Sequence, residues 1–167
     1  SHVKSGKLYI VGTGPGNPGQ MTQRAIEAVC ESEYVIGNNF YLKLIEPYLD
    51  GKTVIRSSMG HEVKRARRCV ELASEHVVCM VSGGDPGVYG MAGIVLEVAE
   101  HEDTQVPVEV IPGVTAATAA ASRIGSPLSG DYVTLSLSDL LTPIEVIKKR
   151  LDCAFKMGVP VVLYNPK

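Results

Sequence analysis

Short apolar runs alternate with helical periodicities along most of this chain. Runs rich in β-branched residues predict five strands, at residues 7–11, 34–36, 53–55, 77–81 and 108–111. Apolar positions that repeat about every 3.6 residues predict a helix after each strand, the first after Thr22 and the others over residues 41–49, 61–75, 91–100 and 116–121. Such alternation is typical of the α/β class, in which a parallel sheet carries helices on both faces.

Local signals refine several of these helices. Thr22 is the predicted N-cap of the first helix, and Pro47 predicts an irregular second helix. The start of another helix is predicted at residues 142–145. Thr142 is its N-cap, Pro143 its first helical residue, and Glu145 completes a capping box. The predicted buried positions are Ala25, Ile26, Val29 and Cys30 in the first helix, Val63, Ala66, Cys69, Val70 and Ala73 in the third, and Ile144, Ile147, Leu151, Ala154 and Phe155 in the last.

The pattern restarts after a turn-rich segment, which divides the chain. Residues 1–126 form the predicted N-terminal α/β domain, 127–131 a linker, and 132–167 the start of a second α/β domain. That second part offers one helix between two strands, at 132–137 and 160–164. Three elements bury their apolar faces poorly alone, so we expect the second domain to be incomplete.

Three glycine-rich loops follow predicted strands, at residues 12–19, 82–87 and 112–115. The carboxyl ends of parallel strands lie at one edge of a sheet, so the loops are predicted to converge there on a ligand cleft. Residues 14–19 match the spacing G-x-G-x-x-G, but Pro18 removes a backbone amide from the stretch that would cradle a pyrophosphate. The second strand also ends without an acidic residue to hold a ribose, so a dinucleotide site is not favoured.

Composition narrows the range of partners. The 167 residues carry a net charge of −2, which argues against nucleic acid. No apolar run approaches the ~20 residues of a membrane span and no signal-peptide core is present, so we expect no membrane partner and a cytoplasmic location. The four cysteines stand singly in apolar stretches, which predicts buried thiols and neither a disulfide framework nor a metal site.

Few polar side chains are candidates for chemistry. Asp85 is the carboxylate best placed in the predicted cleft, where it either fixes its own turn or accepts hydrogen bonds from a ligand. The histidines lie far apart in the sequence, and no G-x-S-x-G motif is present. Lys64, Arg65, Arg67 and Arg68 are predicted to form a solvated helix face rather than a polyanion site.

Four motifs, in this order, resemble the tetrapyrrole methylases. They are residues 11–16 (VGTGPG), 82–91 (SGGDPGVYGM), 112–117 (PGVTAA) and 135–143 (LSLSDLLTP), followed by 163–167 (LYNPK). The resemblance runs over residues 7–167. Residues 135–143 are most similar to members that methylate C17 of a precorrin-3 type tetrapyrrole, with or without cobalt, and with ring contraction, in cobalamin biosynthesis.

The resemblance implies an enzyme that uses S-adenosylmethionine, bound in a cleft between two α/β domains, and that forms a homodimer. The residues it implies for the cofactor are Gly84, Asp85, Val88, Tyr89, Thr115, Ala116, Tyr164 and Asn165. It implies that Pro15 and Gly16 line the tetrapyrrole side, and that Ser138 and Asp139 are candidates for catalysis without an assigned role. No metal is expected.

This sequence departs from the family pattern in two places. Gly37 and Asn38 stand where family members often carry an aromatic residue after the glycine, which bears on local substrate contacts. Family members also continue beyond the position of Lys167, so we expect a truncated chain that binds S-adenosylmethionine weakly and has little activity.

Two alternative functions stay open. One is another methylase of the same fold, acting on a different tetrapyrrole carbon or in diphthamide synthesis. The other is a non-catalytic fragment that keeps the fold. Residues 135–143 favour the C17 activity over a different methylase.

Overall fold

The computed structural model describes residues 6–58 and 60–167. The chain divides into two compact units, the first ending at Ala116 and the second spanning Ala117–Lys167. This division comes earlier than the predicted domain boundary after residue 126, which stays a prediction.

A parallel sheet forms the centre of the first unit. Its strands are β1 (Lys7–Gly12), β2 (Tyr34–Asn38), β3 (Thr53–Ser57), β4 (Val77–Ser82) and β5 (Val108–Ile111). They lie in the order β3-β2-β4-β1-β5, and every neighbouring pair is parallel. The predicted α/β class is therefore confirmed, and the loops after β4, β1 and β5 start side by side at one edge.

Helices follow the strands in the predicted order. They are α1 (Gln23–Glu31), α2 (Asn39–Leu42), α3 (Glu62–Ala73), α4 (Ala92–His101) and α5 (Ala116–Arg123), with 3-10 segments at Pro18–Gln20 and Lys43–Tyr48. Pro47 lies inside the second 3-10 segment, which confirms the irregular helix expected there.

Alternating strand residues place an apolar core on each face of the sheet. Leu8, Ile10 and Met80 pack with α3 and α4 on one face. Val11 and Val81 pack on the other face with α1 and the second 3-10 segment. Both faces are covered, which explains why the strands read as continuous apolar runs.

Two predicted helix faces are rotated slightly in the structure. In α1, Ala28 is buried and Cys30 is exposed, opposite to the prediction for Cys30. In α3, Val63 is 52% exposed, whereas Arg65 is buried. The reason in α3 is that the long Arg65 side chain is held by hydrogen bonds at the sheet edge, while Val63 lies in the first turn beyond the reach of the core.

The second unit contains a parallel pair of strands and a helix. These are β6 (Val133–Ser136), β7 (Val161–Tyr164) and α6 (Ile144–Lys156). The N-cap of α6 is Pro143, and no side chain among the described residues caps it, so the predicted Thr142 cap is wrong. Pro143 has ψ 142°, outside the helical region, so Ile144 is the first helical residue. Glu145 is then the second helical residue, whereas a capping box needs it at the third.

The buried stripe of α6 is narrower than predicted. Ile147 and Ala154 are buried, but Ile144 and Phe155 are exposed. Within the described residues, none of the helices is both long enough and apolar enough to cross a membrane.

Candidate functional site

The glycine loops after β1 and β4 are joined by backbone hydrogen bonds. Gly14 N donates to Gly84 O at 3.1 Å, and Gly84 N donates to Gly14 O at 2.9 Å. Thr13 N also donates to Ser82 O at 2.9 Å. The predicted convergence of these two loops is therefore confirmed.

The loop after β5 joins them by close packing at Gly113. A Cβ atom on Gly113 would overlap the carbonyl oxygen of Gly84 and would lie 3.2 Å from Gly12 Cα. Only a residue without a side chain permits this approach. All three loops thus meet at the carboxyl edge of the sheet.

Asp85 ties two of these loops together. Its Oδ2 accepts a hydrogen bond from Gly87 N at 2.8 Å, and its Oδ1 accepts one from Gly113 N at 3.0 Å. The first bond fixes the turn that contains Asp85, as one of the two predicted roles requires. The second bond reaches the loop after β5, a contact that the sequence does not signal because Gly113 is distant along the chain.

The segment from Ser82 to helix α4 is held by its own hydrogen bonds. Ser82 Oγ accepts from Met91 N at 3.2 Å, and Pro86 O accepts from Ala92 N at 2.9 Å. Tyr89, between them, has φ 51° and is exposed. A left-handed backbone is uncommon for a tyrosine, and such conformations cluster at ligand sites.

The other predicted residues of the first unit lie at the same edge. Thr115 Cα is 3.6 Å from the position that a Cβ on Gly84 would occupy, so the loop after β5 passes close to Gly84 there. Val88 and Thr115 are half-buried, and Ala116, Pro15 and Gly16 are exposed.

In the second unit, polar side chains cluster at the carboxyl ends of β6 and β7. Ser136 Oγ accepts from Ser138 N at 3.2 Å and from Asn165 Nδ2 at 2.9 Å. The Tyr164 hydroxyl accepts from Ala117 N at 3.0 Å. The structure thus brings Ser138 and Asn165 together through Ser136, which sequence reasoning did not single out.

Asp139 is engaged in an ion pair. Lys167 Nζ lies 3.1 Å from Asp139 Oδ1, and its hydrogen bond lowers the pKa of that carboxyl group. A carboxylate with a lowered pKa is a weak proton acceptor near neutral pH. Asp139 is therefore paired with Lys167, and its role in catalysis stays a prediction.

Two residues near the edge have roles that the sequence did not indicate. Arg65 donates to Ser57 Oγ at 2.9 Å and to Ser58 O at 2.8 Å, so it supports the end of β3 and is not part of a solvated face. Asn38, at the end of β2, accepts from Phe40 N at 2.8 Å through Oδ1. Its Nδ2 is buried without a hydrogen-bond partner among the described residues.

Two of the four cysteines lie in the apolar cores on either side of the sheet. Cys69 and Cys79 are buried, and burial raises the pKa of the Cys79 thiol to about 12. Cys30 and Cys153 are exposed, so the prediction of four buried thiols is wrong for these two. In the described part of the chain, no group of three or more His, Cys, Asp or Glu side chains is arranged to hold a metal ion.

Comparison with known proteins agrees with the fold and with this arrangement of loops. The sequence pattern of the family Tetrapyrrole (Corrin/Porphyrin) Methylases matches residues 7–167. The chain therefore belongs to the tetrapyrrole methylases. The matched range includes the three glycine loops described above.

Individual relatives are similar over most of this chain. A Salmonella typhimurium protein named "Probable cobalt-factor III C(17)-methyltransferase" is 44% identical over 96% of this chain and 67% of its own length. The crystal structure of the methyltransferase CobJ has a TM-score of 0.92 at 34% identity, over 98% of this chain and 69% of that one. The uroporphyrin-III C-methyl transferase of Thermus thermophilus, complexed with S-adenyl homocysteine, has a TM-score of 0.61 at 29% identity, over 78% and 59%.

The curated relatives are longer than this chain. It spans between 31% and 67% of the length of the curated relatives that it matches.

Proposed function

We propose that this chain carries the methyl-donor loops of an S-adenosylmethionine-dependent methyltransferase that acts on C17 of a precorrin-3 type tetrapyrrole, with ring contraction, in cobalamin biosynthesis. Membership of the tetrapyrrole methylases and the name of the Salmonella relative support this activity. The observation that carries the proposal is the junction of three glycine loops. Backbone hydrogen bonds between Gly14 and Gly84 join the first two loops, and Asp85 joins the second to the third.

The residues of this edge suit S-adenosylmethionine. The loops present backbone groups and small side chains beside half-buried Val88 and exposed Tyr89, a mixture that fits an adenosine and an amino-acid group. The bound cofactor would supply a methyl group on a sulfonium, ready for in-line displacement. The protein's part in such a reaction is mainly alignment in a water-poor site, which does not require an acid–base cluster.

The residues proposed for each ligand are those that the family resemblance implies. The cofactor residues proposed in the first unit are Gly84, Asp85, Val88, Tyr89, Thr115 and Ala116. For the second unit, Tyr164 and Asn165 are proposed from the family resemblance alone. Pro15 and Gly16 would lie on the tetrapyrrole side. Ser138 and Asp139 are proposed as candidates for catalysis without an assigned role; Ser138 donates its backbone N–H to Ser136, and Lys167 pairs with the Asp139 carboxylate.

We also propose that the protein acts as a homodimer in the cytoplasm. Leu140, Leu141 and Phe155 are exposed apolar side chains of the second unit, and a partner chain would remove them from water. Light scattering after size exclusion at micromolar concentration would show the mass of two chains. The mass of one chain would contradict the dimer and leave the catalytic proposal intact.

Titration of the ¹⁵N-labelled chain with S-adenosylhomocysteine tests the cofactor site even if binding is weak. Amide signals of Gly84 and Thr115 are expected to shift with saturation. The substitution Asp85→Asn replaces one acceptor oxygen by a donor group, which opposes an N–H of Gly87 or Gly113. We expect it to weaken binding about tenfold, equivalent to roughly 1.4 kcal/mol.

Asp50→Asn is the matched control, since Asp50 is an exposed aspartate outside these loops. It should bind like the unsubstituted chain. If saturating S-adenosylhomocysteine left the loop signals unmoved, the cofactor proposal would be wrong. Incubation with cobalt-factor III and S-adenosylmethionine, followed by location of the new methyl group, tests the choice of C17.

A further inference from the structure

Helix α2 places two aromatic residues beside the loop that follows β4. β2 and β4 are neighbouring parallel strands, with Ile36 opposite Met80, so the segments that follow them start at the same edge. Leu42, at the end of α2, is fully buried and anchors this short turn to the core. Phe40 and Tyr41 therefore lie in a defined position relative to Gly83.

Tyr41 packs directly on the glycine loop. A Cβ atom on Gly83 would overlap the Tyr41 ring, so the ring fills the space that any other residue at 83 would need. Gly83 immediately precedes Gly84 and Asp85, which belong to the three-loop junction. The aromatic turn is thus in contact with the proposed methyl-donor loop.

Phe40 projects from this support into solvent. It is 69% exposed, and its ring centroid lies 5.5 Å from that of Tyr41 at an interplanar angle of 82°. This edge-to-face arrangement is a favoured aromatic geometry and restrains the Phe40 ring. The face of an exposed aromatic ring held in this way can stack on a flat ligand.

Asn38, at the base of the same turn, has a buried hydrogen-bond donor, Nδ2. The residue is only 7% exposed, and its Nδ2 has no partner among the described residues. A buried donor without an acceptor is costly, and such groups in native proteins call for an explanation.

We propose that Phe40, supported by Tyr41 on Gly83, is a substrate-positioning residue that stacks on the face of a planar, carboxylate-bearing macrocycle. The inference rests on the proposed function, because it places the macrocycle beside the methyl-donor loop.

Uroporphyrin III, a fluorescent planar tetrapyrrole with carboxylate groups, is the probe. Its fluorescence is titrated with the full chain and with Phe40→Ala, Phe40→Leu and Leu96→Ala. We expect Phe40→Ala to weaken binding about fivefold to tenfold, the range seen for single aromatic stacking contacts. Phe40→Leu, which keeps apolar area but loses the flat ring, should fall between Phe40→Ala and the unsubstituted chain.

Leu96 is a suitable control because it is apolar and 44% exposed, but lies in the middle of α4. Leu96→Ala should bind uroporphyrin III normally. Each variant is also titrated with S-adenosylhomocysteine, and Phe40→Ala should keep the affinity of the unsubstituted chain. Thermal unfolding of each variant shows whether it is folded.

Three other outcomes would overturn the inference, and a fourth would refute only the cofactor proposal. Equal uroporphyrin III binding by Phe40→Ala and the unsubstituted chain would overturn the inference, as would no binding by the unsubstituted chain. A parallel loss of S-adenosylhomocysteine binding in Phe40→Ala would also overturn it, since Phe40 would then merely support the loop. Uroporphyrin III binding that depends on Phe40, without any binding of S-adenosylhomocysteine, would refute the cofactor proposal and leave this inference standing.

Discussion

At Gly113, the lack of a side chain sets the distance between two loops. A methyl group there would overlap the carbonyl oxygen of Gly84, which itself is hydrogen-bonded to Gly14 N. The hydrogen bond from Gly113 N to Asp85 depends on the same approach. A single residue thus determines both the packing and the polar contact of the junction.

Gly113→Ala is expected to lower the free energy of unfolding by about 1–3 kcal/mol, the usual cost of forcing extra atoms into a packed site. Urea unfolding followed by circular dichroism measures this change. The backbone would have to move, so the S-adenosylhomocysteine shifts of Gly84 should weaken as well.

Gly93→Ala is the control for the same chemical change. Gly93 lies within α4, and no atom lies within 4 Å of the Cβ that alanine would add. Alanine should therefore stabilise the chain by up to about 1 kcal/mol through its helix propensity. Similar stabilities for the two variants would contradict the packing described for Gly113.

At the scale of the element, the start of a helix depends on whether the residue before it has the backbone geometry of an N-cap. Two threonines carry a capping signal in the sequence, Thr22 before α1 and Thr142 before α6. Thr22 Oγ1 accepts from Ala25 N at 3.0 Å and caps its helix, whereas α6 begins after Pro143 without a side-chain cap. The same local pattern therefore has different outcomes in the two units.

Thr22→Ala should cost about 1 kcal/mol, because an amide of the first turn of α1 loses its acceptor. Thr142→Ala should change the free energy of unfolding by less than about 0.5 kcal/mol, as expected for a substitution away from a cap. Urea unfolding of both variants gives the comparison. Equal losses would show that Thr142 caps α6 in solution.

At the scale of the whole molecule, a network of charges joins α1, β1 and β5. Arg24 Nη2 lies 3.0 Å from Glu109 Oε2, and Lys7 Nζ lies 3.0 Å from the same oxygen. These partners lower the pKa of Glu109, chiefly through the hydrogen bond from Arg24. The pKa of Glu31 is lowered too, first by its hydrogen bond from Tyr9 and then by Arg24.

The lowered pKa values fix the sign of the pH dependence. A carboxyl group whose pKa is lower in the folded state contributes stability above its unfolded pKa, near 4.5 here, and loses it as pH falls through the folded value. The thermal midpoint should therefore fall as the pH drops below about 4.5, the unfolded pKa. Glu109→Gln should lower the midpoint at pH 7 slightly and flatten the acid-side slope.

Glu97→Gln is the control, since Glu97 is exposed on α4. Its midpoint should follow that of the unsubstituted chain at every pH. An unchanged acid-side slope in Glu109→Gln would mean that the network adds nothing to stability.

The position of the glycine loops in the candidate site could be predicted from the sequence, because the motifs that mark them lie within a few neighbouring residues. The loops after β1, β4 and β5 are marked by glycine and proline directly after apolar runs, and parallel strands bring such loops to one edge. The cofactor contacts carried over from the family resemblance remain predictions, since no ligand contact follows from loop position alone. Arg65 was misassigned because a basic run on a helix does not indicate which side chain reaches a distant carbonyl group.

The sequence by itself determined the order of strands and helices, the parallel sheet and the edge at which the glycine loops lie. These depend on apolar periodicity and on turn residues, which act over a few neighbouring positions. Only the tertiary structure decided that Asp85 reaches Gly113, that Tyr41 packs on Gly83 and that Phe40 is left exposed. Each of these contacts joins residues on different elements, so it depends on how the elements pack rather than on any local pattern.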